Sequence, residues 1–149
     1  MRKLKTILVG VFSMATLFFS ETTQAKDIII TKNELPQKAL MFMDTHFKGK
    51  EIQTIEKDDD FLSVSYKVTF ADRLEIEFDR SGEWDEVDGN GTALPTSFML
   101  DPIVAYVKQQ YKETAIVKIE KKRSYYEVEL QNGLELEFSK SGTFKRIDH

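Results

Sequence analysis

Apolar and polar residues alternate with a period of two through four segments of the chain. In residues 64–70, for example, apolar Tyr66 and Val68 are separated by polar Lys67. This alternation predicts a half-buried β-strand, with one face toward a core and the other toward solvent. Short connections containing glycine or Asx residues follow, as antiparallel hairpins require. The other alternating segments are residues 74–78, 126–130 and 134–138, and the connections are residues 71–72, 80–82, 131–133 and 140–142.

Two further segments have the three- and four-residue spacing of a helix. Pro36 suits the first turn of the first helix, and Asp101-Pro102 predicts an N-cap and a first helical position for the second. Each segment carries an apolar stripe that one helix face would bury. The stripes are Leu40, Met43 and Phe47 in the first segment and Ile103, Val107 and Tyr111 in the second.

These predicted elements occur twice in the same order. A Leu-Pro pair at residues 35–36 recurs 59 residues later, and an Ile-Glu-Lys segment at residues 55–57 recurs 64 residues later. The alternating strands recur at an offset of 60. Matches this dense indicate an internal duplication. We predict a first repeat at residues 26–90 and a second repeat at residues 91–149.

Each repeat is predicted to contain a helix followed by about four antiparallel strands, which makes the fold class α+β. Two such repeats give an eight-stranded sheet, continuous or in two halves, with both helices packed on one face. Residues 28–30 are expected to form a short leading strand. The opposite face of the sheet is then polar and open.

The N-terminus has the pattern of a secretory signal peptide. Basic residues between positions 2 and 5 precede an apolar run over residues 6–19, and a polar segment ending in Ala25 supplies the small residue that signal peptidase requires. The run is too short to span a bilayer, which needs about twenty residues. We predict that residues 1–25 are removed, that no stable membrane anchor remains, and that the protein is periplasmic or secreted. An uncleaved anchor is the alternative.

Charge and cysteine content narrow the function classes. The net charge is −4, and removal of a signal peptide with three basic residues and one acidic residue takes it to −6. A nucleic-acid partner is not expected, because no basic stripe is present to neutralise phosphates. The chain has no cysteine, which excludes disulfides, a thiol nucleophile and a thiolate metal site. Export without disulfides favours a bacterial envelope protein.

The repeated motifs resemble those of the Bacteroidota PepSY-like family, also described as β-lactamase-inhibitor-like proteins. The matching motifs are Leu-Pro, Ile-Glu-Lys, Tyr-x-Val, and Leu-Glu-Ile/Leu-Glu-Phe followed by Asp/Ser-x-x-Gly, in both copies from about Asp27 to the C-terminus. The resemblance implies a helix-plus-sheet fold similar to β-lactamase inhibitory protein, and PepSY-type domains are proposed to restrain peptidases. It brings no catalytic residues to this chain.

Candidate catalytic groups have simpler explanations. Five carboxylates lie on the polar side of the predicted strands, but no apolar enclosure there would raise one pKa above its neighbour, as acid–base catalysis requires. His46 has no cysteine or second histidine at ligand spacing, and the chain has no nucleophile-elbow, zinc or phosphate-loop motif. We therefore expect no enzyme, no catalytic residue and no cofactor. The carboxylates are Glu75, Glu77, Asp79, Glu135 and Glu137.

One segment resembles the start of an EF-hand calcium loop. Residues 86–91 begin with Glu86 where such a loop has Asp, and its twelfth position is Ser97 where a bidentate Glu is required. Gly89 and Gly91 suit a linker between the repeats instead. No metal site is expected here.

Trp84 and Val87 are three residues apart, as are Phe144 and Ile147, and residues so spaced cannot share one face of a regular strand. Two alternatives are open. A bulge returns both residues to the core, or one residue of each pair emerges on the polar face as an interface anchor. The second alternative defines a partner-binding set on and beside the acidic face: Lys67, Glu75, Glu77, Asp79, Trp84, Glu135, Glu137 and Phe144.

Together these observations predict an exported, non-enzymatic protein-binding module whose acidic sheet face engages an unidentified protein partner. An inhibitor of an envelope hydrolase or peptidase is one form of this function. A carrier or sensor of a small cationic ligand or metal ion in the periplasm is the alternative. A structural envelope component that self-associates is a third hypothesis.

Overall fold

The computed structural model describes residues 27–60 and 62–148 of the 149-residue chain. The predicted signal peptide, residues 1–25, lies outside the described residues. Within them, no helix is both long enough and apolar enough to cross a membrane. The α-helices are α1 (Gln37–His46) and α2 (Asp101–Gln110), and a short 3₁₀ helix (Lys32–Glu34) precedes α1. The strands are β1 (Ile28–Ile29), β2 (Ile52–Asp59), β3 (Val64–Phe70), β4 (Glu75–Asp79), β5 (Trp84–Asp88), β6 (Ile116–Lys121), β7 (Tyr125–Leu130), β8 (Glu135–Ser139) and β9 (Phe144–Asp148).

The nine strands form one antiparallel sheet in which spatial order follows chain order from β1 to β9. The predicted α+β class is therefore confirmed, but the expected eight strands become nine. The ninth strand is β1, the short leading strand expected at residues 28–30, in which Ile28 and Ile29 pair with Lys57 and Glu56 of β2. The sheet is continuous across the two repeats, because β5 of the first pairs with β6 of the second, with Val87 opposite Ile119.

Both helices begin close to their predicted proline signals. Helix α1 starts directly after Pro36 and buries Ala39 and Met43. Helix α2 has Leu100 at its N-cap, so Asp101 is the first helical residue and not the predicted cap. A carboxylate in the first turn remains favourable there, because it faces the positive end of the helix dipole.

The core lies between the helices and one face of the sheet. Phe42 on α1 packs edge-on against Phe78, with ring centroids 5.9 Å apart, and Tyr106 on α2 packs against Phe138 at 5.5 Å. The central sheet residues of this layer lie opposite one another on consecutive strands and are at most 1 % exposed, so the two helices cover the same face. These residues are Ile76, Val87, Ile119, Val128 and Leu136.

Matching bulges place Trp84 and Phe144 on the helix side of the sheet. The register shifts so that Phe78 lies opposite Trp84 although Glu77 lies opposite Glu86, which leaves Asp85 as the extra residue. The same shift occurs between β8 and β9, where Phe138 lies opposite Phe144. Of the two alternatives for these aromatic residues, the bulge is correct.

The tight turns also repeat, with one exchange of residue type. The turn between β3 and β4 has its left-handed position at Arg73, with φ of 71°, and not at the predicted Asx residue. Gly133 occupies the corresponding position of the second repeat, with φ of 83°. Gly82 and Gly142 are equivalent too, each with φ of 84°, and each lies beneath the start of the helix of its repeat.

Candidate binding face

The side of the sheet opposite the helices carries most of the charged residues of strands β3 to β8, and we call it the open face. Lys67 on β3 lies directly opposite Glu77 on β4, and its Nζ is 2.9 Å from Glu75 Oε2. Glu135 and Glu137 lie on β8, four strands away from β4. The structure thus places most of the predicted binding residues on one face, but in two groups.

Five glutamates connect the two groups. Glu77, Glu86, Glu120, Glu127 and Glu137 lie on β4 to β8, each directly opposite the next. We call these five residues the carboxylate row. Because neighbouring strands are about 4.8 Å apart, the row extends for roughly 19 Å across the sheet. Lys67 and Arg146 lie opposite its two ends.

Like charges directly opposite one another on neighbouring strands destabilise a sheet, and two members of the row, Glu77 and Glu127, show this strain. Burial, and next the charge of Glu86, raise the pKa of Glu77 above its usual range. Burial raises the pKa of Glu127 as well, and Glu120 adds to this effect while Lys122 opposes it. These two carboxylates therefore bind protons more readily than free glutamate, and a cation on the open face would relieve them.

Two lysines offset part of this repulsion. Lys118 Nζ is 2.9 Å from Glu86 and 3.7 Å from Asp88. Lys122 Nζ is 2.6 Å from Glu120. Acidic residues still outnumber basic ones on the open face of strands β4 to β8, so the face remains negative.

Glu137, at the β8 end of the row, is already bound by two cationic side chains of its own chain. Its carboxylate accepts hydrogen bonds from Lys145 Nζ at 2.9 Å and from Arg146 Nε at 2.9 Å, and the residue is only 6 % exposed. The hydrogen bond from Lys145, together with the nearby charge of Arg146, lowers the pKa of Glu137. A partner would have to displace two cations to reach this carboxylate.

Asp79 has a structural role in the turn after β4. Its Oδ1 accepts hydrogen bonds from the backbone N–H of Ser81 at 2.8 Å, from the Ser81 hydroxyl at 2.7 Å and from the backbone N–H of Glu83 at 3.0 Å. Burial would raise the pKa of Asp79, but these hydrogen bonds together lower it. One oxygen is thus occupied by the turn.

The two aromatic residues of the predicted set lie on the opposite side of the sheet and are not part of the open face. Trp84 is 9 % exposed and packs against Phe42 of its own repeat and against Phe98 and Tyr126 of the second. Phe144 is half-buried, and its ring stacks on Tyr106 with centroids 4.5 Å apart. The bulges described above explain this correction. Trp84 acts here as a packing residue between the repeats.

No group of three or more metal-ligating side chains in residues 27–60 and 62–148 has the geometry to hold a metal ion. The segment that resembles a calcium loop consists of the end of β5 and the turn that follows it. Asp88 Oδ1 accepts a hydrogen bond from the backbone N–H of Asn90 at 2.7 Å, and Asn90 Nδ2 donates to the Arg73 carbonyl at 2.5 Å. His46 Nδ1 lies 2.8 Å from the Ser97 hydroxyl, beside aromatic rings.

Glu86, Glu120 and Glu127 were not in the predicted set, although they form the middle of the carboxylate row. Glu127 could have been found from its strand, because it alternates with Tyr126 and Val128. The alignment of all five glutamates could not, since it depends on the pairing of β5 with β6 between the repeats.

Comparisons with known proteins place this architecture in a family. The model of the family described as "Putative beta-lactamase-inhibitor-like, PepSY-like" matches residues 20–65 and 64–146. The chain belongs to this PepSY-like family, as its repeated motifs predicted. No curated protein matches the chain.

Solved structures of similar proteins come from Bacteroides species. One, described as a "putative calcium-regulated periplasmic protein" from Bacteroides thetaiotaomicron, is 34% identical, with a TM-score of 0.79, over 83% of this chain and 97% of that one. A periplasmic protein of the DUF2874 family from Bacteroides vulgatus is 35% identical, with a TM-score of 0.78 over 83% and 97% of the two chains. A second Bacteroides vulgatus periplasmic protein, of unknown function, is 34% identical, with a TM-score of 0.78 over 83% and 100%.

Proposed function

We propose that this protein is an exported, non-enzymatic binding module of the periplasm, and that its open face binds the basic surface of a partner protein. The observation that carries this proposal is the carboxylate row, five aligned glutamates on the side of the sheet away from both helices. Lysine and arginine side chains of a partner would be its complement, because opposed potentials steer association and fix register.

Glu77 and Glu127 are the expected contact points. Within the described residues Glu77 and Glu127 take part in no ion pair, whereas Glu86, Glu120 and Glu137 do. Approach of a cation would offset the repulsion that raises the pKa of Glu77 and Glu127. Contacts at these two carboxylates therefore gain the most from a basic partner.

An inhibitor of an envelope hydrolase or peptidase is the form of this function that we favour. Its support is the inhibitor-like description of the family and the periplasmic description of the similar Bacteroides proteins. A strand-built face of this kind would block an enzyme by covering its entrance, and would need no catalytic group of its own.

Affinity capture tests the proposal. Residues 26–149 serve as bait in envelope extract of the organism that makes the protein, beside the variant Glu77→Gln/Glu127→Gln. The matched control, Glu51→Gln/Glu113→Gln, makes the same change in net charge at two exposed loop residues away from the open face. We expect a partner that is retained by the wild type and the control, and lost by the row variant. Equal retention by all three chains would reject the open face as the binding site.

The ionic strength of the buffer provides a second criterion. Pairing between exposed charges weakens as salt screens them, so the association rate of the captured partner should fall steeply with added salt. Binding that is indifferent to salt would contradict an interface built on the carboxylate row.

The second candidate function is a carrier or sensor of a small cationic ligand or metal ion. The carboxylate row also favours this function, and one similar protein is described as calcium-regulated. A thermal-unfolding series with added Ca²⁺ separates the candidates, because a ligand that binds only the folded state raises its melting temperature. A Ca²⁺-dependent rise that Glu77→Gln/Glu127→Gln abolishes would favour the sensor, and no rise would favour the protein-binding module.

A further inference from the structure

Strand β9 forms an edge of the sheet. Its equivalent in the first repeat, β5, shows what kind of strand can pair along that edge. β5 and β9 occupy the same position in the two repeats, at an offset of 60 residues. β5 has neighbours on both sides, whereas β9 pairs only with β8 among the described residues. The consequence is visible at Val87, which is fully buried, and at its equivalent Ile147, which is 37 % exposed.

The backbone of β9 has groups free to pair. In the first repeat the N–H of Gly89 donates to the Val117 carbonyl at 2.8 Å, across the β5–β6 pair. Because backbone groups alternate in direction along a strand, the N–H and C=O of Val87 also point toward β6. The repeat then directs the N–H and C=O of Ile147 away from β8, toward the side where no strand of the described residues lies beside β9.

The side chains around Ile147 are complementary to their own copy turned by two-fold rotation. If two β9 strands pair antiparallel with Ile147 opposite Ile147 of the second copy, Arg146 of each lies opposite Asp148 of the other. The two isoleucines would share a hydrogen-bonded pair, since their backbone groups point outward, and would cover each other on the helix side. Two Arg–Asp pairs would form on the open face.

We propose that β9 is a dimer interface, and that its partner is β9 of a second copy of this chain. The chain already contains a pairing of the same kind. β5 and β6 pair with Val87 opposite Ile119, flanked by Asp88 opposite Lys118, whose charged atoms are 3.7 Å apart. The dimer repeats the centre and one flank of this arrangement, with Ile147 in the centre and Asp148 opposite Arg146; its other flank is a second Arg–Asp pair where β5 and β6 have Glu86 opposite Glu120.

Charge complementarity favours a second copy over other occupants. Lys145 and Arg146 are exposed cations on an edge strand, a device that discourages pairing with arbitrary strands. A strand with an acidic residue two positions after a basic residue can place opposite charges against both Arg146 and Asp148. β9 itself has this spacing. The symmetry is closed, so pairing ends at two copies.

The two-fold axis of this pairing runs perpendicular to the sheet. Two nine-stranded sheets therefore join into one, with both carboxylate rows on the same side. The inference is independent of the proposed function, because dimer formation needs no partner protein.

Sedimentation equilibrium over a concentration series of residues 26–149 tests the proposal. We expect a reversible dimer that weakens with salt. Ile147→Pro removes an outward N–H that is not used within the sheet and should abolish the dimer. Asp148→Arg places arginine opposite Arg146 of the second copy, twice per dimer, and should weaken it about tenfold or more. Glu113→Arg makes the same change in net charge away from β9 and should leave the dimer intact.

A mixing experiment gives the sharpest outcome. Arg146→Asp alone sets aspartate opposite Asp148 and should weaken the dimer about tenfold or more, as Asp148→Arg should. An equal mixture of the two variants restores two opposite-charge pairs and should form a heterodimer. Because Arg146 also binds Glu137, circular dichroism must show that Arg146→Asp is folded; if it is not, Ile147→Pro and Asp148→Arg decide. A wild type that stays monomeric up to its solubility limit, or a dimer that both of these variants leave unchanged, would overturn the proposal.

Discussion

The two repeats share one plan, yet equivalent residues have different roles. In the first repeat, Trp84 packs against aromatic rings from both repeats, and Lys121 Nζ lies 3.9 Å from the centre of its ring. In the second repeat, its equivalent Phe144 packs only against rings of its own repeat, chiefly Tyr106, among the described residues. The difference arises because β5 of the first repeat pairs with β6 of the second, whereas β9 pairs only with β8 among the described residues. Position in the array, more than the motif, decides how a residue is used.

On the open face, the carboxylate row likewise shows that the role of a residue depends on the position of its repeat. Glu77 and Glu137 are equivalent, at an offset of 60 residues. Glu77 faces Glu86 on the next strand, whereas Glu137 faces Arg146. Their pKa values are consequently shifted in opposite directions. A duplicated sequence has thus produced one strained and one satisfied carboxylate.

Truncating the two equivalent aromatic residues should give the largest difference in stability between the repeats. Trp84→Ala leaves a cavity at the junction of the repeats and should lower the free energy of unfolding by about 3–5 kcal/mol. Phe144→Ala removes a half-buried ring and should cost about 1–2 kcal/mol. Urea unfolding of both variants measures the difference. Equal costs would show that the inter-repeat contacts of Trp84 add nothing to stability.

The equivalent turn glycines should give a smaller difference. A Cβ at Gly82 would lie 2.7 Å from Pro36 Cβ and 2.9 Å from the backbone nitrogen of Ala39. At Gly142 the nearest atom, Pro102 Cβ, would be 3.1 Å away. Both substitutions place alanine at positive φ, at a cost of about 1–2 kcal/mol, and Gly82→Ala adds about 1–3 kcal/mol of overpacking. If thermal unfolding shows that Gly142→Ala is the more destabilising change, the close approach of α1 to the Gly82 turn does not determine the stability lost by these substitutions.

The equivalent glutamates should give the smallest effects, with opposite signs. The pKa of Glu137 is lowered in the fold, so its stabilising contribution is present above the unfolded pKa and lost as pH falls through the folded pKa. The pKa of Glu77 is raised, so its contribution is present below the unfolded pKa and lost as pH rises through the folded pKa.

At neutral pH, Glu137→Gln should therefore lower the free energy of unfolding and Glu77→Gln should raise it slightly. Both differences should shrink as the solution is acidified. Urea titrations at neutral and acid pH measure them. A loss of stability from both variants would mean that Glu77 is not strained by its neighbours.

Local signals in the sequence were sufficient to predict the repeats, the strands and the two helices. Alternation around Tyr66 and Tyr126, and prolines before each helix, are effects of a few adjacent residues. The short leading strand expected at residues 28–30 is present as the two-residue β1, but alternation alone did not show that it joins the eight strands of the repeats in one sheet.

The candidate site was predicted less completely because it depends on pairing between distant segments. The sequence left Trp84 with two orientations, and only the register of β4 with β5 excludes the outward one. Similarly, alternation predicted which glutamates face solvent, but their alignment into one row required β5 and β6 to pair between the repeats.

The chain order of the strands has a further consequence, for the rate of folding. Every strand pairs with the strands immediately before and after it in the sequence, and the two longest connections between paired strands each contain a helix. Sheets assembled from such local pairings fold quickly, because little loop entropy is lost before contacts form. In a chain without cysteine, this topology allows the sheet to grow strand by strand as the polypeptide emerges, with neither a disulfide nor a distant segment needed to begin.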